Sequence, residues 1–176
     1  NGDWRHIQGN FGPKGTVVDL SGIFRYESLD ELLNNEEIDV VDICLPQALH
    51  AEATIKSLMA GKHVLCEKPI SLHPHDADRM IASAVRARRL LMIGQVLPFF
   101  PEYAFIRTAV ARGEYGALKG GLFKRIIADP VWRKDYYDPD VSGGPLVDLH
   151  IHDAHFIRML YGMPQLVYSS GRMRGP

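Results

Sequence analysis

Cysteine is scarce in this chain. Cys44 and Cys66 are the only two in 176 residues, too few for a disulfide framework. Both lie in apolar, strand-like stretches, which reads as a pair of buried thiols in a cytosolic protein. Charge of one sign is not in excess either: Lys and Arg total 20, Asp and Glu 21. That balance offers no basic footprint to nucleic acid or to an anionic membrane surface. No apolar run approaches the ~20 residues of a membrane span, and no signal peptide opens the chain. Internal repeats and low-complexity tracts are lacking, which argues against a solenoid. A phosphate-cradling G-x-G-x-x-G is lacking too, since Gly9-Asn10-Phe11-Gly12 does not supply that spacing.

What is present is an alternation of buried strands and amphipathic helices. Residues 1–26 are Gly-rich and weakly periodic. Ser28-Leu29-Asp30-Glu31 fits a capping box, which starts a helix to about Asn35. Val40-Val41-Asp42-Ile43-Cys44-Leu45 reads as a strand, residues 48–60 as a helix closed by Gly61, and His63-Val64-Leu65-Cys66 as a second strand. Residues 77–89 carry Ala77, Met80, Ile81, Ala84 and Val85 at helical spacing, and Leu90-Leu91-Met92-Ile93 is a third strand. This order argues for a doubly wound parallel sheet. The pattern changes near Pro98. A helix over residues 99–112, a long strand over 118–128, a polar loop over 129–142, a helix over 143–161 and a strand from Leu166 to Ser169 are expected. The domain boundary is placed near residue 97.

Two constellations carry chemistry. Glu67-Lys68-Pro69 stands at the carboxyl end of the second strand, where parallel sheets take ligands. Lys68 there is a candidate donor to an alcohol or carbonyl oxygen, with a solvated turn lysine as the plain alternative. Downstream, Asp148, His152 and His155 share one face of a helix, at spacings of four and three. His152 is a candidate proton acceptor, and Asp148 can hold it or orient a hydroxyl. A polar helix face is the alternative. A rival reading is metal-dependent hydrolysis, with Asp148, His150 and His152 as ligands of a strand, but the Gly pair before and the apolar run after favour a helix. Trp132 and Arg133 offer a flat ring and a fork of donors to a polar ligand. His50, at the start of the first crossover helix, is placed to approach a ligand phosphate or ribose, or to act as a local cap.

Leu45-Pro46-Gln47-x-x-His50, then Ala60-Gly61-Lys62-His63-Val64-Leu65-Cys66-Glu67-Lys68-Pro69, then Gly143-Gly144-x-x-x-Asp148-x-x-x-His152, resemble in this order the Gfo/Idh/MocA family of NAD(P)-dependent oxidoreductases. The resemblance runs from about residue 28 to 170. It implies an α/β chain: a partial Rossmann doubly wound parallel sheet over residues 1–97, then a partial α/β domain with an open, mainly antiparallel sheet over 98–176. It implies NAD or NADP as cofactor, contacted by Pro46, Gln47, His50, Glu67, Lys68 and Gln95. It implies a sugar- or polyol-like secondary alcohol, met by Lys68, Trp132, Arg133, Asp148 and His152. Lys68, Asp148 and His152 would be catalytic, His152 as proton acceptor, with no metal. A cytoplasmic protein that forms homo-oligomers through the second sheet is expected. Family members often carry Asn at Gln47, Gly at His150 and Arg at Pro98. The family's Gly-rich first turn is expected upstream of residue 1 and much of its second sheet beyond Pro176, so the chain reads as an internal fragment. A catalytically silent dinucleotide-binding relative is the other alternative.

Overall fold

Val41 and Ile43 in one strand and Val64 and Cys66 in the next are all buried, while Val40, just before Val41, is 58% exposed and Asp42, between Val41 and Ile43, is exposed too. That alternation is the signature of strands covered on one face. The computed structural model describes Arg5, Gly15, residues 17–128, Tyr136 and residues 138–171. The chain divides into two compact units, residues 1–35 and 36–176.

In the first unit, Ser28 caps helix α1 (Leu29–Leu33) by accepting from the Glu31 amide at 3.1 Å. The Glu31 carboxylate reaches back to the Glu27 amide at 2.9 Å, one residue before the cap. Both members of the expected box are therefore used, with the acid serving the residue outside the first turn.

The second unit is built on strands β1 (Val40–Ile43), β2 (His63–Cys66) and β3 (Leu91–Ile93). They form one parallel sheet in the order β1-β2-β3, with Val41 opposite Val64, Ile43 opposite Cys66, and Cys66 opposite Ile93. Helix α2 (His50–Met59), entered by a 3-10 turn at Gln47–Leu49, links β1 to β2, and helix α3 (Pro74–Ala87) links β2 to β3. The two helices pack on each other, so they cover the same face of the sheet. Each fully buried aliphatic side chain on that face contributes about 1.5–3 kcal/mol. On α2 the buried positions are small, Ala53, Thr54 and Ser57 beside Leu58, which lets α3 approach closely.

Several expectations are corrected here. Helix α3 begins at Pro74, because proline fits the first helical position, where its missing N–H costs nothing. Its buried face runs through Met80 and Ser83, and Ile81 and Val85 are exposed. Cys66 is buried, but β1 stops at Ile43 and Cys44 is exposed.

Beyond β3, a 3-10 turn at Leu97–Phe99 leads into α4 (Pro101–Arg112). Then follow α5 (Pro139–Ser142), α6 (Gly144–Asp148) and α7 (Ile151–Tyr161). The strands expected over 118–128 and from Leu166 to Ser169 are not formed among the described residues. A strand exists through its ladder, and neither segment has a pairing partner there. Leu122, Leu166 and Tyr168 stay almost fully exposed. The antiparallel sheet expected to join copies of the chain is thus not formed among the described residues.

Candidate functional site

Lys68 leaves the carboxyl end of β2, with Pro69 behind it fully buried. Its Nζ donates to the Asp148 main-chain oxygen at 2.6 Å and to Asp148 Oδ1 at 3.2 Å. Gln47, on the turn after β1, donates from Nε2 to the same Oδ1 at 2.7 Å. One carboxylate oxygen therefore gathers donors from two strand ends. The Lys68 and Asp148 side chains are 20% and 16% exposed, so the pair is largely shielded from solvent.

This contact explains a departure from the sequence pattern. Residues 143–161 do not form one helix: α6 ends at Asp148 and α7 begins at Ile151. In an unbroken helix the Asp148 carbonyl would accept from the His152 amide. Here it accepts from Lys68, and the His152 amide turns to the Leu149 oxygen at 3.4 Å. Asp148 and His152 keep a spacing of four but stand on two short helices.

His152 Nδ1 is buried without a hydrogen-bond partner. Burial lowers its pKa from the ordinary 6.5, and the charges of Lys68 and Arg125 lower it further, while Asp153 and Asp148 act the other way. Lys68 is thus near enough for its charge to bear on the imidazole. His155 Nδ1 is likewise buried and unpartnered, and burial, with Arg158, lowers its pKa too. His150 points its half-exposed ring at Asp153, Nδ1 to Oδ2 at 3.5 Å.

Three parallel strands end together, so Pro46, Gln47, Glu67, Lys68 and Gln95 meet along one edge of the sheet. Glu67 accepts from the Lys68 amide at 3.1 Å. Its carboxylate lies over Gly94, where a Cβ would stand 3.2 Å from Oε2, a close contact that a small shift of the carboxylate would relieve. Gln95 Oε1 is buried without a partner.

His50 is corrected. It is 1% exposed, with Nδ1 2.8 Å from the Pro69 oxygen and Nε2 2.8 Å from the Leu45 oxygen. Both ring nitrogens face main-chain carbonyls, which leaves no polar atom for a phosphate or ribose. Nothing supports the metal reading. His150 caps α7 and His152 lies in its first turn, not on the strand that would bring the two to one face, and the Lys68 ammonium occupies Asp148. Among the described residues no group of three or more His, Cys, Asp or Glu can hold a metal ion. Trp132 and Arg133 lie outside the described residues.

The sequence-based reading missed Arg125 and Asp153. Arg125 donates from Nε to Asp153 Oδ2 and from Nη2 to Oδ1, both at 2.7 Å. The available signal was a cation within the apolar stretch Leu122 to Ile127, followed by an acid directly after His152.

The sequence matches the model of an oxidoreductase family with an NAD-binding Rossmann fold, GFO_IDH_MocA, over residues 12–95. It is 34% identical over 138 residues to a myo-inositol 2-dehydrogenase of Thermotoga maritima, covering 78% of this chain and 40% of that protein. It is 31% identical over 137 residues to a 1,5-anhydro-D-fructose reductase of Ensifer adhaerens, covering 76% of this chain and 40% of that one. The crystal structure of a probable dehydrogenase from Thermotoga maritima superimposes with a TM-score of 0.67, at 33% identity, over 78% of this chain and 41% of that one.

The chain belongs to the Gfo/Idh/MocA family of oxidoreductases. It spans about two fifths of the length of these relatives, 40% in both enzymes above. For this family the strand-end row is the place to look for the cofactor, since ligands of parallel sheets lie outside the carboxyl ends of the strands. The orphaned Gln95 oxygen is an acceptor that a carboxamide N–H would satisfy, so these residues fit the nicotinamide end of a dinucleotide. Among the described residues no helix is long and apolar enough to cross a membrane.

Proposed function

We propose that this chain supplies the reactive centre of an NAD(P)-dependent oxidoreductase acting on a secondary alcohol of a sugar- or polyol-like substrate. The contact of Lys68 Nζ with Asp148, near the half-buried His152 whose Nδ1 has no partner, carries the reading. Residues 1–97 would serve the cofactor and residues 98–176 the substrate, so that this contact bridges the two parts. Pro46, Gln47, Glu67, Lys68 and Gln95 would hold the nicotinamide end. When bound, the nicotinamide accepts a hydride from the substrate carbon in one direction and returns it in the other.

The chain's own residues manage the oxygen. Lys68 donates a hydrogen bond to the substrate hydroxyl oxygen and steadies the negative charge that grows on it as the proton departs, before the leaving hydride turns it into a carbonyl. Asp148 holds the ammonium in place. His152, kept neutral by burial and by two cations, takes the hydroxyl proton. The substrate class rests on the inositol dehydrogenase and anhydrofructose reductase among its relatives.

The test is a panel of cyclic polyols and aldoses offered with NAD⁺ or NADP⁺ to a version of full family length, following reduced nicotinamide by absorbance. Turnover of at least one polyol or sugar is expected. Dinucleotide binding with no turnover across the panel would refute the enzyme reading and leave a silent binding protein.

A further inference from the structure

Arg125 enters the chemistry above only as one of two cations near His152, and its pairing with Asp153 adjoins the residue on which that chemistry turns. The guanidinium grips the carboxylate as a two-pronged fork, with both contacts at 2.7 Å. The two side chains are only 22% and 12% exposed, and such bidentate, charge-assisted pairs are directional. Arg125 comes from the segment 118–128, which carries no helix or strand, and Asp153 directly follows His152 on α7. Two residues before Arg125, Phe123 meets Phe156 of α7 edge to face, with ring centroids 6.5 Å apart. Tyr103 of α4 meets the same ring at 4.8 Å. The segment is therefore fastened to α7 at two points.

Helix rotation matters here. Successive helical residues are turned by about 100°, so the direction of Asp153 determines the direction of His152. Since the helix is interrupted at Leu149 and His150, α6 does not set the rotation of α7 by continuity. The fork supplies a constraint that an unbroken helix would have made unnecessary. It also fixes the place of one charge. The groups acting on His152 are Lys68 from the turn after β2, Arg125 from the segment 118–128, Asp148 from α6 and Asp153 from α7 itself. His150 also faces Asp153.

We propose that the Arg125–Asp153 fork is a positioning pair for His152, setting the rotation of α7 that presents the imidazole towards Lys68 and standing a fixed cation near that ring. It rests on the reading of His152 as proton acceptor.

The test is an NMR titration of the His152 imidazole in the chain itself, the signal being assigned by its loss in His152→Asn. Arg125→Gln removes the cation and is expected to raise the midpoint. Asp153→Asn removes the acid that opposes it and is expected to lower the midpoint. Opposite shifts identify the two charges as standing beside the ring, and the placing of α7 is read separately, from a nuclear Overhauser contact between the Phe123 and Phe156 rings that is expected to weaken in Asp153→Asn and would, if unchanged, overturn the positioning role. Arg125→Lys keeps the charge without the fork and is expected to leave the midpoint nearer wild type than Arg125→Gln does, with a lower melting temperature. Shifts of the same sign in Arg125→Gln and Asp153→Asn, or no shift in either, would overturn the proposal. If Arg125→Gln fails to fold, a midpoint in Asp153→Asn at or above wild type overturns it equally. The pH profile of turnover at full family length reports separately on the base. Midpoints that move as expected while the profile does not follow them would remove His152 as base and leave the fork's placement standing.

Discussion

At the scale of single residues, the candidate site centres on an aspartate whose two kinds of oxygen both accept from one lysine. Lys68 holds the side chain and the main chain of Asp148 together, so removing the ammonium gives up the main-chain contact and leaves Oδ1 to Gln47. Lys68→Ala at full family length is expected to slow turnover by taking a directed positive charge from the developing alkoxide. His152→Asn is expected to lower kcat by roughly 10²–10⁴-fold, with a much smaller change in KM, because asparagine keeps hydrogen bonding but cannot take a proton. Steady-state kinetics decide both, and near-normal turnover of the histidine variant across pH would exclude it as the base. The folded-state pKa of His152 lies below 6.5, so the acid limb of kcat/KM for alcohol oxidation is expected below pH 6.5. A limb above that value would mean that burial and the two cations do not govern the base.

Among the elements, the start of α6 and its break from α7 each have a traceable cause. At the start, Gly143 has φ +71°, a left-handed conformation that L side chains seldom adopt, and a Cβ there would overlap the side chain of Val147. At the break, the Asp148 carbonyl is diverted from the helical ladder to Lys68. Gly143→Ala is expected to destabilise the chain by about 1–3 kcal/mol, from the strained backbone alone. Urea unfolding measures this, and a change under about 0.5 kcal/mol, the range of an ordinary surface substitution, would show that the turn relaxes freely. The first half behaves differently. The parallel sheet and its two crossover helices follow the sequence pattern closely, because alternation at two and recurrence at 3.6 are written within a few residues.

On the scale of the whole molecule, two half-buried histidines are expected to shape the response to acid. The pKa values of His152 and His155 are both lowered by burial. The unfolded chain binds these protons near pH 6.5 and the folded chain resists them, so the unfolded state carries more protons in that range. The stability they contribute is present above pH 6.5 and is lost as pH falls through the lower folded values. Thermal melting from pH 7.5 down to 5 is expected to show a falling midpoint, and the double variant His152→Asn/His155→Asn should flatten the slope. An unchanged slope would place the acid sensitivity elsewhere. The sequence carries no G-x-G-x-x-G turn to seat a pyrophosphate on a helix N-terminus. Calorimetry is accordingly expected to find weak or no dinucleotide binding by this chain and clear binding by a version of full family length. Tight binding by the chain would show that the strand-end row suffices.

The sequence by itself determined the alternating strands and helices from Val40 to Ile93, the strand-end place of Lys68, and the spacing of Asp148 and His152. All of these are encoded in short stretches of periodicity or motif. Tertiary structure alone decided what those groups touch. Lys68 and Asp148 are 80 residues apart, Gln47 and Asp148 are 101 apart, and Arg125 and Asp153 are 28 apart. No local pattern carries such pairings. The interruption of one expected helix, the inward turn of His50 to two carbonyls and the unpaired state of residues 118–128 have the same origin. Each depends on whether a distant partner is there to take the hydrogen bond, and a backbone group follows its partner rather than its neighbours.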